Sequence, residues 1–188
     1  MPTGIRDVTA RVTTGYVDTV NDEFPGGGTT SLTALASGQV GVKVTLGVNA
    51  AAINNTNNQY EGVVQYVRTL STDVTAPLIG YSAFWSDRAT YLVTTDGATA
   101  GIENWAGIFL GTVTPGYYCY IKVPDGGRTL VNFSGAVPAA GSQAVATTGV
   151  AATVVASGTD IKSYHIGTCL GGIVTGNLAL VALKTGEV

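Results

Sequence analysis

The sequence predicts an all-β protein, a β-sandwich or β-barrel of jelly-roll-like type with an extended N-terminal arm. Three observations carry that expectation. β-Branched and aromatic runs recur roughly every 8–12 residues, each closed by Gly, Pro, Asn or Asp, which is the rhythm of short strands and turns. Stretches with apolar residues at i, i+3, i+4 and i+7 are scarce, and Gly, Thr and Val interrupt almost every helical window. Only 11 % of the 188 residues are charged although 45 % are hydrophobic, and 26 are Gly. Soluble proteins carry roughly 25 % charged residues, so Thr, Asn, Ser and Gly stand here where Lys and Glu usually do. Disordered chains are charge-rich and poor in Val, Leu, Ile and Tyr, so disorder is disfavoured.

Along the chain, Val8 to Val20 is rich in β-branched and aromatic residues. Phe24-Pro25-Gly26-Gly27-Gly28 ends it, because Gly accepts positive φ and Pro cannot donate to a ladder. Residues 1–28 therefore read as an arm with a Gly-rich joint, and 29–188 as a β-rich body with a sub-boundary near 71–80. Gln39 to Val48 alternates strictly: Val40, Val42, Val44, Leu46 and Val48 share one face, Gly41, Lys43, Thr45 and Gly47 the other. Asn49 to Tyr60 is an Asn-rich polar loop with room for one helical turn. Glu61 to Leu70 suits a strand or a short helix, and its Val and Tyr content favours the strand.

Tyr81–Trp85 and Ala89–Thr94 read as strands about Ser86-Asp87-Arg88, with Asp96-Gly97 as a turn. Ala106–Thr114 and Tyr117–Val123 flank Pro115-Gly116, which fits the two central positions of a type II turn. Pro124-Asp125-Gly126-Gly127 turns the chain into Thr129–Phe133, and Gly149–Ala156, Ser163–Leu170 and Asn177–Leu183 complete the strands.

Charge and motifs remove several functional classes. With 9 Lys+Arg against 12 Asp+Glu, the net charge is −3, which offers no basic footprint for nucleic acid. Met1 to Asp7 lacks the apolar core of a signal peptide. The longest aliphatic run, Leu178 to Leu183, falls short of the ~20 residues a membrane helix needs, and Gly135 to Ala156 is broken by Pro, Gly, Ser and Gln. No membrane partner is expected. Cys119 and Cys169 have no Cys or His at metal spacing and sit in apolar strand contexts, so buried free thiols are expected rather than a disulfide or zinc site.

The chain has one histidine, His165, so any Ser-His-Asp or Cys-His mechanism would run through it. Its setting, Ser163-Tyr164-His165-Ile166, reads as a strand residue facing solvent or an interface. The carboxylates Asp18, Asp22, Glu23, Glu61, Asp73, Asp87, Glu103, Asp125 and Asp160 fall mostly in turns, where Asp serves to bond nearby backbone amides. No calcium-loop pattern is present. Gly26-Gly27-Gly28-Thr29-Thr30 lacks the Lys of a phosphate loop, and the sequons at Asn54 and Asn132 read as chance matches. No catalytic residue, metal or cofactor is expected.

The aromatics, 4 Phe, 2 Trp and 9 Tyr, are expected mainly in the core. Alternation puts Tyr118 and Tyr120 on one face and Tyr117, Cys119 and Ile121 on the other. Trp85, Trp105, Tyr117 or Tyr118 would alternatively provide a stacking platform for sugars or a protein interface.

Trp85-Ser86-Asp87-Arg88-Ala89-Thr90-Tyr91-Leu92-Val93-Thr94-Thr95-Asp96, followed by Ala106-Gly107-Ile108-Phe109-Leu110-Gly111-Thr112-Val113-Thr114-Pro115-Gly116-Tyr117-Tyr118-Cys119-Tyr120-Ile121, resembles the head decoration (cement) and related capsid-associated structural proteins of tailed bacteriophages. Thr148-Gly149-Val150-Ala151 and Ile166-Gly167-Thr168-Cys169-Leu170-Gly171 extend the resemblance over residues 80–183. It implies a β-rich, non-enzymatic virion protein, made in the host cytoplasm, that binds the major capsid protein on the shell exterior as a homo-oligomer, a trimer at lattice junctions. It brings no catalytic residues. The alternative is a carbohydrate- or receptor-binding β module of a phage fibre or adhesin.

The residues lead to self-association by their own route, since a sheet surface with few charges lacks the usual guards against edge pairing. Contact candidates are Ile5, Val8, Val12 and Tyr16 of the arm, which would add a strand to a neighbouring subunit. Asn57 in the loop Asn54–Gln59, Tyr117, Tyr118, and Arg128 at the end of the loop Pro124–Arg128 complete them.

Overall fold

A computed structural model describes residues 40–46, 62–134, 138–149, 153–155, 165–175 and 177–185. The expected arm and joint, the loop at 49–60, and the contact candidates Ile5, Val8, Val12, Tyr16 and Asn57 lie outside the described residues.

The alternating and turn-bounded runs form β1 (Lys43–Leu46), β2 (Gly62–Thr69), β3 (Ser82–Asp87), β4 (Leu92–Thr94), β5 (Trp105–Phe109), β6 (Tyr118–Lys122), β7 (Arg128–Asn132), β8 (Gln143–Val145), β9 (Thr153–Val155), β10 (His165–Thr175) and β11 (Leu178–Leu183). The fold is all-β. Strands β2-β4-β3-β5-β6 close into a barrel because β6 pairs back onto β2, and β1 lies outside it along the first half of β2. Closure runs antiparallel from Val64↔Lys122 to Arg68↔Tyr118, while β2 and β4 pair in parallel at Arg68↔Leu92 and Thr69↔Val93. Closing the ring leaves these five strands without a free edge. Residues 71–80 join β2 to β3 within the barrel.

The second sheet is antiparallel, in the order β7-β11-β10-β8-β9. Gly80 ties it to the barrel: its N–H donates to Phe109 O at 2.8 Å and its carbonyl accepts from Asn132 N at 2.9 Å.

Register decides the core. Tyr66 lies opposite Tyr120, and Arg68 opposite Tyr118, so the three tyrosines share one face; Val67, Cys119, Ile121 and Phe109 share the other. Every residue of β6 is buried, so both of its faces are covered, and the expected separation of Tyr118 and Tyr120 from Cys119 and Ile121 holds. A second apolar cluster joins the layers, packing Phe84 and Ile108 of the barrel against Val131, Ile166, Ala179 and Val181 of the sheet. Burial of such side chains contributes about 1.5–3 kcal/mol each.

Two glycines meet local demands. Gly116 has φ +91, and Tyr117 N donates to Thr114 O at 3.1 Å, the type II turn that Pro115-Gly116 predicts. Gly107 has φ +152 and runs so close to β6 that a Cβ would lie 2.2 Å from the Lys122 carbonyl oxygen.

Several boundaries differ from expectation. The strand expected from Ala89 starts only at Leu92, because the Asp87 carboxylate accepts from Ala89 N at 2.9 Å and Thr90 Oγ1 at 2.7 Å and holds a turn there. Asp96-Gly97 is not a simple turn: Asp96 caps a one-turn helix, α1 (Gly97–Ala100), followed by a 3-10 turn at Ile102–Asn104. Strand β8 is an addition; three residues are too few to carry an alternation signal. Strand β10 runs past Leu170 to Thr175 with register shifts against β11. Val42, on the apolar face of the alternating run, is 48 % exposed, since it precedes β1 at the sheet margin. Both cysteines are free and buried, as their contexts predict. Among the described residues no helix is long and apolar enough to cross a membrane.

Candidate functional site

Strand ends and turns of the barrel surround a groove of about 910 Å³. Its wall includes Trp85, Asp87 and Arg88 from the β3–β4 tip, Asp73 from the segment after β2, and Asp96, Thr99 and Asn104 around α1; Thr148 and Gly149, which follow β8, complete it.

Trp85 is half-buried at the end of β3, and Tyr91 meets its ring edge-on at 6.4 Å and 65°. Asp87 follows as the acceptor of the turn described above, and the Thr90 hydroxyl, then the Ala89 N–H, hold its carboxyl below the usual carboxylate value. Arg88 is exposed; its carbonyl accepts from Tyr91 N at 3.4 Å, and its guanidinium has no partner among the described residues.

Asp96 accepts from Ala98 N at 3.0 Å, from Thr99 N at 3.1 Å and from the Thr99 hydroxyl. These bonds, the Thr99 hydroxyl foremost, lower its pKa. Asp73 behaves oppositely. Burial raises its pKa, and the charge of Asp96 adds to that, against hydrogen bonds from Thr94 Oγ1 and Thr95 N. Asp73 thus ties the segment after β2 to the end of β4. Asn104 Nδ2 donates to Ala100 O at 2.6 Å and locks the 3-10 turn against α1.

Asp87 and Asp96 serve their own turns, as Asp in such positions is expected to, and so does Asp125, which accepts from Gly127 N at 3.0 Å. Among the described residues no three His, Cys, Asp or Glu side chains are grouped so as to hold a metal ion. His165 is half-buried in β10 and does not line the groove; its Nε2 is buried without a partner among the described residues. Burial pushes up the thiol pKa of both Cys119 and Cys169, which makes them poor nucleophiles.

The structure scatters the residues named from sequence. Of the four aromatics weighed as a stacking platform, Trp85 alone lines the groove. Trp105 packs against the cluster between barrel and sheet. Tyr117 is half-buried, its carbonyl accepting from Thr69 N and Thr69 Oγ1 at 2.9 Å. Tyr118 is 3 % exposed. It stacks on Tyr66 at 5.8 Å and 17°, with the Arg68 guanidinium 6.0 Å from its ring centroid. Its ring offers almost no contact surface, because both faces of β6 are covered. Arg128 is half-buried at the start of β7.

The loop from Pro124 to Arg128 is anchored. Asp125 pairs with the fully buried Lys122 and accepts from Val63 N, while its backbone bridges to Thr185. Sequence reasoning missed Asn104, Thr99 and the Asp73–Thr94–Thr95 bonds, because the groove is assembled from separate stretches and no local pattern signals it. No protein-family model matches the chain, and no curated protein matches it.

Proposed function

We propose that the chain is a non-enzymatic structural protein of a tailed-phage virion that binds the outer surface of the capsid as a homo-oligomer and reinforces the shell. The observation that carries this reading is the composition of the second sheet. Its four neighbouring strands β8, β9, β10 and β11 contain no Asp, Glu, Lys or Arg. Leu170 of β10 is 46 % exposed, and beyond β9 no further strand pairs among the described residues. Proteins that remain single usually guard such an edge with charge, Pro or a covering segment. An edge without charge suits a chain whose copies meet each other and a larger lattice, where many weak contacts sum.

The resemblance to phage decoration proteins supports the same reading. Its first segments make up much of β3 to β6, and its last, Ile166 to Gly171, lies on β10. Sedimentation of the purified chain, together with co-sedimentation on capsids lacking it, tests the reading. A defined oligomer, with a trimer expected, and saturable capsid binding support it; a monomer indifferent to capsids overturns it.

A further inference from the structure

The groove beside Trp85 gathers an indole seated on the barrel core, carboxylates that hold turns, and an exposed guanidinium. The indole is half-buried and its edge is held by Tyr91, so stacking a ligand on it forfeits little side-chain freedom. Tyr91 is the one non-Gly residue with positive φ among the described residues, at 54°. A residue with a Cβ adopts that backbone at a cost of about 1–2 kcal/mol, and such strain gathers at ligand sites. Beside it the Arg88 guanidinium stands exposed with no partner among the described residues. Asp87 and Asp96 are fixed by their turns, yet a carboxylate accepts about four hydrogen bonds, so both keep capacity.

We propose that this groove binds a neutral oligosaccharide, with one sugar ring stacked on Trp85, hydroxyls donating to Asp87 and Asp96, and a ring or hydroxyl oxygen accepting from Arg88. The lining carries Asp73, Asp87 and Asp96 against the single cation Arg88, which repels anionic ligands. Asp87 and Asp96 are committed to separate turns and Asp73 to Thr94 and Thr95, and no metal-holding group forms among the described residues. A neutral polyol meets the remaining requirements, with donors for the carboxylates, acceptors for Arg88 and an apolar C–H face for the indole. A volume of about 910 Å³ lies in the range of small-molecule sites and admits more than one ring. The site is built from barrel turns together with Thr148 and Gly149 after β8, and the reading does not depend on capsid attachment.

The test begins with the full chain on a glycan array of neutral and anionic oligosaccharides. Calorimetric titration follows with the best neutral tetrasaccharide and with a heparin-derived tetrasaccharide. Saturable binding of a neutral glycan is expected, weakened about tenfold or more by Trp85→Ala and several-fold by Arg88→Ala, with no heparin binding. In a Trp105→Phe background the emission of Trp85, then the only tryptophan, shifts on binding. The proposal is overturned if no neutral glycan binds, if the heparin fragment binds better, or if affinity is unchanged in the variants. Should Trp85→Ala fail to fold, Arg88→Ala and the emission shift decide.

Discussion

The barrel and the second sheet are built from similar strands but solve the edge problem differently. In the barrel, β6 returns to β2 and all five strands find partners on both sides. Its strands also carry charge: Arg68, Asp87 and Lys122 lie on β2, β3 and β6. The second sheet stays open, its longest strand slips register against both neighbours, and its strands β8, β9, β10 and β11 carry no charged side chain. The difference teaches that closure stabilises one half from within, whereas the other half keeps a surface suited to association. Asp125 is the joint between them, reaching β2 through Val63, β6 through Lys122 and the end of the chain through Thr185.

The largest effect expected from breaking this contrast comes at Gly107. A Cβ there strikes the Lys122 backbone, so Gly107→Ala should cost more than about 4 kcal/mol and abolish a cooperative urea transition. Gly141, in the turn before β8, also has positive φ but meets nothing within 4 Å. Gly141→Ala should cost only the strain, about 1–2 kcal/mol by the same measurement.

Next comes the joint. Asp125→Ala leaves the buried Lys122 without its carboxylate, which should destabilise by about 3–5 kcal/mol. Adding Lys122→Met should restore much of that loss in chemical denaturation, because the uncompensated charge is then gone. Smaller in stability but large in assembly is Leu170→Lys, which places a charge on the exposed side of the second sheet. It should change unfolding by less than about 0.5 kcal/mol and weaken self-association about tenfold or more in sedimentation.

The smallest effect concerns pH. The pKa of Asp73 is raised in the fold, so its contribution is fully present below the unfolded value of 3.8 and is lost as pH rises through the raised value. Asp87 and Asp96 are lowered, so theirs are lost as pH falls below 3.8. Asp73→Asn removes the loss on ionisation, and its stability relative to the parent should be better near neutral pH than in acid. By carboxyl NMR titration, Asp96→Asn, which keeps the cap, should lower the Asp73 pKa, and Thr94→Val should raise it.

Much of the architecture was legible from local chemistry. Pro115-Gly116 dictates its turn because Pro sets φ and Gly takes the positive φ that follows. The alternation in Tyr117–Ile121 likewise places Tyr118 and Tyr120 together. It could not say that both faces of β6 would be covered, and so Tyr118 was a contact candidate on local grounds and a core residue in three dimensions. Trp85 was legible as an aromatic worth weighing, but nothing near it in sequence announces Asp73, Asn104 or Thr148.

What the sequence alone determined is the strand class, the turns, the uncharged character of strands β8, β9, β10 and β11 and the free state of the thiols, since each follows from side-chain chemistry within a few residues. Only the tertiary structure decided the closure of β6 onto β2, the burial of Lys122 against Asp125 and the assembly of the groove. Those depend on contacts between residues far apart in the chain, where pairing is set by the packing of whole faces and not by any local preference.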